Sequence, residues 1–425
     1  MSDLTVRDVL RVRDFRLVWI AQSISDLGDG LTNLALLLLV NALTGSTAAL
    51  AVMAIVLAVP PMTIGLVAGV YVDRLDRRRV MLAADALRVA VVLGFIVVRS
   101  ADQVWILYLL GFAEATVGSF FTPARMALVP TILPSEGLLA ANGVSQASRV
   151  IAATVGAGAA GVLFGIAGSA WPAFVGDSLT FAISFLLVLQ VRSVRAAVAP
   201  PASVPAAPPA GGGIRAELAA GLAIIAHSPI LVGTLVSVGV LMLGLGAVNV
   251  LFIPLMIGHL HVPATWIGLV DVAQTSSMIL SAVLVTALAR RLRPTSIVTI
   301  TLAGIAVLVL LLAGVTAVWQ VILLLFLVGW LVSPLNAAAS TILQTAVADE
   351  ARGRVGAALN AVTSGASIAS MAAAGVLGAA IGIQNVFLIA GALTATSALV
   401  AFLLFRRVNR RHEAAGYTGS PALGS

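Results

Sequence analysis

The sequence of 425 residues contains no cysteine and no lysine, and few charged residues of any kind. Without cysteine the chain forms no disulfide and has no thiolate nucleophile or cysteine metal ligand. Charged residues make up 10% of the chain, far below the roughly 25% of soluble domains. His-Glu-x-x-His, Gly-x-Ser-x-Gly and Walker motifs are absent too, and His259 and His261 are too sparse for a metal site. These absences argue against a soluble domain and against an enzyme.

Long apolar runs dominate what is present. Hydrophobic residues account for 60% of the sequence, and its mean hydropathy is +1.10. A helix needs about 20 predominantly apolar residues to cross a bilayer. The runs therefore predict an all-α polytopic membrane protein with twelve spans, at 16–40, 48–71, 80–100, 104–124, 142–168, 172–191, 229–257, 265–289, 295–316, 318–344, 355–382 and 386–405.

All 24 basic residues are arginines, and they cluster at the ends of the spans. If the N-terminus is inside, the arginine-rich connections all lie on the cytoplasmic side. Arg99 is then the only arginine among the loops and span ends of the opposite side. Positively charged loops are retained in the cytoplasm. We therefore expect a multi-pass protein of the cell inner membrane with both termini cytoplasmic. The first sixteen residues form an amphipathic lead-in, and the net charge of +7 reflects topology rather than a nucleic acid partner.

The two groups of six spans resemble each other in sequence. A shift of 214 positions aligns Trp105 with Trp319 and Arg77 with Arg291. Six spans restore the original direction of the chain, so we expect parallel repeats related by an axis along the membrane normal. The predicted parts are an N-terminal half over 1–191, a Pro/Ala/Gly-rich cytoplasmic linker over 192–220, a C-terminal half over 221–405 and a cytoplasmic tail over 406–425.

Three carboxylates fall near the middle of predicted spans. Asp26 and Asp29 lie about 15–20 Å along the first span at 1.5 Å per residue, and their i,i+3 spacing places them on one face. Glu114 lies about ten residues into the fourth span. An ionisable group inside the bilayer is costly, so it indicates a functional site. Asp29, Asp26 and Glu114 are the predicted proton-coupling residues.

Each intramembrane charge also has a structural interpretation. Glu114 either carries a proton or forms a salt bridge to Arg149 or Arg88. Arg149 either pairs with an acid during a transport cycle or extends its side chain to the cytoplasmic interface. The i,i+3 spacing of Asp85 and Arg88 favours a structural ion pair, and Asp177 is expected to pack at a helix junction.

A central substrate cavity is predicted from the other polar residues inside the spans. The polarity of the second half is mostly uncharged, so proton handling is expected in the first half. The residues assigned to the cavity are Gln22, Asn33, Arg149, Asn249, Asp271, Gln274, Asn336 and Asn360.

The loop after the second span reads Gly69-x-x-x-Asp73-Arg74-x-Asp76-Arg77-Arg78-x-x-Met81. It resembles the cytoplasmic loop signature of the major facilitator superfamily, in which glycine usually stands at the position of Asp76. The twelve spans, parallel halves and central linker resemble the same family over essentially the whole chain. The resemblance implies the fold of that superfamily and alternating access. It assigns gating to Gly69, Asp73, Arg74, Arg77 and Arg78.

The segments Pro123–Pro130 and Asn142–Arg149 look like the macrolide-efflux and enterobactin-exporter branch of drug:proton antiporters. Ala152-Ala153 replaces the usual Gly-Pro pair of that branch, and the arginine usual in span four is absent. The resemblance implies multidrug efflux, that is, export of amphipathic, drug-like compounds. It also implies a monomer that uses the proton gradient as its energy source and needs no cofactor. The alternatives are a narrow-substrate carrier of lysophospholipid or siderophore-type molecules, and a transport-inactive sensor or scaffold.

Overall fold

The structure, a computed structural model, describes residues 4–72, 74–192, 213–281 and 291–414 together with 285 and 288. Every regular element in these residues is helical, as expected in lipid, where a helix satisfies its own backbone hydrogen bonds. The helices are α1 Val6–Arg11, α2 Arg13–Thr44, α3 Thr47–Val72, α4 Arg77–Gly94, α5 Val104–Ile132, α6 Leu138–Ala167, α7 Trp171–Leu189, α8 Gly213–His227, α9 Pro229–Ile253, α10 Thr265–Leu280, α11 Pro294–Leu312, α12 Val318–Ala346, α13 Asp349–Ile381 and α14 Ile383–Ala414.

Eleven helices in the described part of the chain are long and apolar enough to cross a membrane. Of the twelve predicted spans, the eighth, over 265–289, is the one without such a helix among the described residues. There α10 extends over Thr265–Leu280 and has 16 residues, and most of the remaining stretch lies outside the described residues. The all-α polytopic architecture is confirmed, and the count of twelve stays a prediction.

The chain divides into two compact units. The first contains α1 to α7 together with residues 250–275 and 374–380, and the second contains α8, α11, α12 and most of α9, α13 and α14. The division at a linker over 192–220 stays a prediction, because most of that segment lies outside the described residues. Its last residues, 213–220, are helical in α8.

In the first unit α2 packs against α6 through backbone rather than side chains. A Cβ atom added to Gly156 would overlap the carbonyl oxygen of Leu27, and one added to Gly30 would overlap that of Ala153. Small residues permit this closeness between membrane helices. The glycines at 30 and 156 thus permit the close contact between the backbones of α2 and α6.

The second unit has an apolar interior. Leu302, Ile305, Val309 and Phe405 are among its buried side chains. Its helices are joined by serine hydroxyls that donate to backbone carbonyls, such as Ser370 Oγ to Leu243 O at 2.6 Å. Such bonds satisfy polar groups without placing any charge inside the bundle.

The lead-in before α2 is amphipathic, as predicted. Val9 of α1 is fully buried, while Arg7 and Arg11 are exposed. Two hydrogen bonds from Thr5, one from its hydroxyl and one from its backbone N–H, hold the pKa of Asp8 below its ordinary value. The bond from the Thr5 backbone N–H is one half of a capping box at the start of α1.

Candidate functional site

Arg88 lies at the centre of a buried charge cluster in the first unit. From α4 its Nε donates to Oε1 of Glu114 in α5 at 2.9 Å, and its Nη2 contacts both Glu114 and Asp29 of α2. The guanidinium carbon lies 3.9 Å from the ring centroid of Phe181 in α7. Charge-assisted bonds and a cation–π contact therefore join four helices at one side chain.

The two carboxylates that contact Arg88 differ in accessibility. The side chain of Asp29 is 32% exposed, whereas those of Glu114 and Arg88 are 9% and 5% exposed. A carboxylate must reach water or a proton donor to exchange a proton. Asp29 is thus the member of the pair that is open to exchange.

Two further carboxylates complete what we call the Arg88 cluster: Arg88, Asp29, Glu114, Asp177 and Asp85. Asp177 in α7 lies within electrostatic range of Arg88 and accepts from Thr180 Oγ1 at 3.1 Å. Asp85 accepts from Ser184 Oγ at 2.7 Å. One oxygen of each, Oδ2 of Asp177 and Oδ1 of Asp85, is buried without a hydrogen-bond partner among the described residues.

The Arg88 cluster contains four carboxyl groups and one guanidinium. A buried carboxylate is costly unless it is paired with a cation or fully hydrogen-bonded. One arginine cannot neutralise four carboxylates, and a bound proton removes a negative charge at the lowest cost. The cluster is therefore chemically able to take up and release protons.

Asp26 lies beside the Arg88 cluster and forms no ion pair with a described residue. It is within electrostatic range of Arg149 in α6, Arg125 in α5 and Arg88. Its Oδ2 and the Oε1 of Gln22 are buried without a hydrogen-bond partner in the described part of the chain. Asp26 and Asp29 thus share a helix and the field of Arg88, but only Asp29 contacts the guanidinium.

The structure gives the contacts of three of these charges, whereas the proton-carrying role of Glu114 and the role of Arg149 stay predictions. Glu114 pairs with Arg88, one of its two predicted partners. The predicted ion pair between Asp85 and Arg88 is wrong, because the long arginine side chain extends to α2 and α5 and leaves Asp85 to Ser184. Asp177 does pack at a junction, where a Cβ on Gly28 of α2 would overlap its Oδ1. Its electrostatic link to Arg88 had no signal in the sequence.

The residues assigned to a substrate cavity do not form one group in either unit by itself. Asn249, Asn336 and Asn360 lie in the second unit and are exposed, and Asn33 is exposed in the first. Gln22 is buried, and Asp271 and Gln274 of α10 are half-buried. The cavity drawn from both halves stays a prediction.

Part of the signature loop has a local structural role. Asp76 is the N-cap of α4, and its Oδ1 accepts from Arg79 N at 2.9 Å. Arg78 donates from Nε to Val188 O at 3.1 Å and from Nη2 to Leu189 O at 2.6 Å, at the C-terminus of α7. The aspartate that stands in place of the glycine usual in the resembled signature thus supplies a helix cap, a role that was not predicted from the sequence.

The other gating residues carry no contact that tests their role. Asp73 lies outside the described residues. Arg74 is exposed and Arg77 is half-buried, and a Cβ built on Gly69 meets no atom of another described helix within 4 Å. Gating by these residues stays a prediction.

No metal centre is recognisable in the described ranges, since no group of three or more His, Asp or Glu residues there could hold an ion. The ring Nδ1 of His261 lies 3.0 Å from the carbonyl oxygen of His259. That contact joins a histidine ring to the backbone two residues earlier in the same loop.

The helical bundle has the fold of a solved membrane transporter. The structure of the nucleoside transporter NupG matches with a TM-score of 0.71 at 14% identity, over 92% of this chain and 99% of that one. Within the superfamily the chain belongs to the transmembrane secretion effector family, MFS_3, which matches residues 8–418. It is therefore a membrane transporter and not an enzyme.

Two relatives of known name are similar to this chain. Macrolide efflux protein A of Streptococcus pyogenes is 28% identical over 154 residues, which is 36% of this chain and only 38% of the relative's length. The enterobactin exporter EntS of Citrobacter koseri is 28% identical over 348 residues, 80% of this chain and 79% of that protein. Resemblance to the macrolide-efflux and enterobactin-exporter branch is thereby confirmed.

Proposed function

We propose that the protein is a proton-coupled exporter of amphipathic, drug-like compounds that are neutral or cationic. The observation that supports this most strongly is the Arg88 cluster, in which one guanidinium bonds carboxylates on two other helices. Ionisable groups inside a transporter bundle commonly form proton relays. The acidic excess of the cluster also favours the approach of a cation over that of an anion.

In this proposal Asp29 exchanges the proton and Glu114 keeps Arg88 in place. When Asp29 is ionised, it shares the guanidinium with Glu114. A proton on Asp29 removes its charge, so the guanidinium then bonds Glu114 alone. Because the three side chains come from α2, α4 and α5, protonation changes which helices are held together. Such a change can bias a bundle between two arrangements.

The names of the relatives favour export as the direction of transport. One relative is a macrolide efflux protein and the other exports enterobactin. The enterobactin exporter matches this chain over the greater length, which favours a narrow-substrate carrier of siderophore-type molecules as the second candidate. Transport of a panel of both classes from the same vesicles distinguishes the two, since a narrow carrier moves one class only.

The test is proton release driven by substrate in reconstituted vesicles. Wild type is compared with Asp29→Asn and Glu114→Gln, and with the matched controls Asp102→Asn and Glu136→Gln outside the Arg88 cluster. We expect Asp29→Asn to abolish pH-gradient-driven transport while exchange of substrate without a gradient persists. Glu114→Gln should slow both, because Arg88 loses its buried partner. If both cluster variants keep wild-type gradient-driven transport, the coupling proposal fails.

We also propose that both termini face the cytoplasm and that Asp73 takes part in gating. The absence of native cysteine makes single introduced cysteines uniquely reactive. An impermeant thiol reagent outside the cell should label Ser169→Cys and not Ser135→Cys, and the reverse result would invert the orientation. In an Asn33→Cys background, Asp73→Asn should lower labelling from outside. Unchanged labelling there would remove Asp73 from the gate.

A further inference from the structure

Asp177 of α7 is a fully buried carboxylate with no part in the proton exchange proposed for Asp29. None of its surface is exposed. Its Oδ1 accepts from Thr180 Oγ1 at 3.1 Å, and its Oδ2 has no hydrogen-bond partner in the described part of the chain. A buried carboxylate with an unpaired oxygen is costly unless a cation or a donor can reach it. Asp177 is therefore a candidate second partner for a nearby cation.

The guanidinium of Arg88 lies about one helical turn from Asp177. Its carbon is 3.9 Å from the ring centroid of Phe181, and Phe181 follows Asp177 by four residues in α7, so the two side chains share a face. Arg88 is also within electrostatic range of Asp177. A cation–π contact extends to about 6 Å from the ring centroid, so the guanidinium can shift toward Asp177 and stay over the ring.

Asp29 and Asp177 are brought to the same guanidinium by a contact between two helices. A Cβ on Gly28 would overlap Oδ1 of Asp177, so α7 touches α2 at the residue before Asp29. Arg88 thus has one carboxylate, on α2, in contact and a second, on α7, close by. The other charged groups within electrostatic range of these two carboxylates are Glu114 and Asp26.

We propose that Asp177 is the alternative partner of Arg88, bonded when Asp29 carries a proton. This inference rests on the proposed function, which gives Asp29 the exchangeable proton. One proton moves from water to Asp29, and the charge that held Nη2 there is lost. The guanidinium, left with Glu114, then takes Oδ2 of Asp177 as its second partner. A link from α4 to α2 is thereby replaced by a link from α4 to α7, and Asp177 acts as a positioning residue for Arg88.

Asp85 is another buried carboxylate within range of Arg88, but its surroundings differ from those of Asp177. It precedes Arg88 by three residues on α4, and its Oδ2 accepts from Ser184 Oγ at 2.7 Å. The arginine side chain extends away from it, to α2 and α5. Asp85 is therefore a matched control, a buried carboxylate of the same cluster that the proposed exchange of partners does not use.

Unfolding of the full chain in micelles, followed by tryptophan fluorescence, tests this in a double-mutant cycle. Asp29→Asn imitates the protonated carboxyl. In that background Asp177→Asn removes the charged partner of Arg88 and should lower the equilibrium constant of folding about 10- to 100-fold. In wild type the same change removes a buried charge and keeps an amide oxygen for Thr180, so the constant should be unchanged or higher. Asp85→Asn should have the same effect in both backgrounds.

Two results would overturn the proposal. An equal effect of Asp177→Asn in both backgrounds would show that Arg88 does not change partners. A background-dependent effect of Asp85→Asn in its place would assign the second position of Arg88 to Asp85. If Asp29→Asn fails to fold, Asp29→Leu, with the residue that Leu243 provides at the matching position, serves as the neutral background under the same expectations.

The unfolding cycle measures no transport, so its failure is distinct from failure of the proposed function. Gradient-driven transport that survives Asp29→Asn would remove the coupling role of Asp29 even if the cycle shows that Arg88 changes partners. An absent background effect, together with loss of that transport in Asp29→Asn, would keep the coupling and remove Asp177 from it.

Discussion

The interiors of the two units differ in charge at equivalent sequence positions. The shift of 214 positions that aligns the arginines of the two halves pairs each member of the buried network with an uncharged residue. Leu302 and Val328 occupy the positions that match Arg88 and Glu114, and both are buried in the second unit. The pairs are Asp29 with Leu243, Asp85 with Thr299, Arg88 with Leu302, Glu114 with Val328, and Asp177 with Gly391.

The difference shows that this kind of helix bundle does not need charge in order to pack. The second unit has leucine, valine, glycine and threonine at the matching sequence positions, and uncharged residues are cheaper to bury than charges. A buried ion pair is commonly no more stabilising than apolar residues of similar volume. The Arg88 cluster is therefore better explained by what it does than by stability, and the comparison can be tested position by position.

The largest effect is expected from removing the shared cation. Arg88→Met leaves the buried carboxylate of Glu114 and the partly exposed one of Asp29 without their shared cation, and should lower the free energy of unfolding by about 3–5 kcal/mol. Leu302→Met, at the equivalent position, should change it by less than about 1.5 kcal/mol. Denaturant unfolding in micelles, followed by tryptophan fluorescence, measures both. Adding Asp29→Asn and Glu114→Gln to Arg88→Met should recover stability. If Arg88→Met and Leu302→Met lower the free energy of unfolding equally, the contrast between the two units is refuted.

A smaller effect is expected where the backbones of α2 and α6 touch. Gly156→Ala places a Cβ against Leu27 O, and such overpacking costs about 1–3 kcal/mol. Position 370 is the equivalent in the second unit, and Ser370→Ala there loses only a hydroxyl bond to Leu243 O, worth about 0.6 kcal/mol in membrane bundles. The same unfolding assay compares them. A larger loss at Ser370 would show that hydroxyl bonds, not close packing, limit stability.

The next contrast compares Arg78, near the start of α4, with Leu292, which stands at the matching position of the second half. Arg78→Gln removes two hydrogen bonds to the end of α7, for a loss of about 1–2 kcal/mol. Leu292 makes no such hydrogen bonds, so the free energy of unfolding of Leu292→Gln should stay within about 0.5 kcal/mol of wild type. If Arg78→Gln alters cysteine accessibility while stability is unchanged, its predicted gating role gains support over the structural one.

The smallest effect concerns the cap of α4. Asp76→Ala should cost about 1 kcal/mol, whereas Asp76→Gly, the residue usual in the superfamily, should cost only a few tenths. Thermal unfolding midpoints of the two variants rank them. If glycine costs as much as alanine, the carboxylate acts through its charge and not as a helix cap.

Much of the site could be predicted because depth and spacing are local properties. Counting residues from the span ends was enough to single out Asp29 and Glu114 as buried carboxylates. Arg88 was one of two predicted partners of Glu114, but its contact with Asp29 was not predictable, because the i,i+3 rule pointed Arg88 toward Asp85 on its own helix. Asp177 was undervalued, since nothing along the sequence indicates that Gly28 brings α2 close to it.

The sequence by itself determined the membrane class, the helices and the end of the bundle that carries the arginines. These follow from hydropathy and charge along the chain, which need no contact between distant residues. Only the tertiary structure decided which charges meet. Arg88 bonds residues 59 and 26 positions away, and such contacts exist only once helices pack against one another and a long side chain can reach between them.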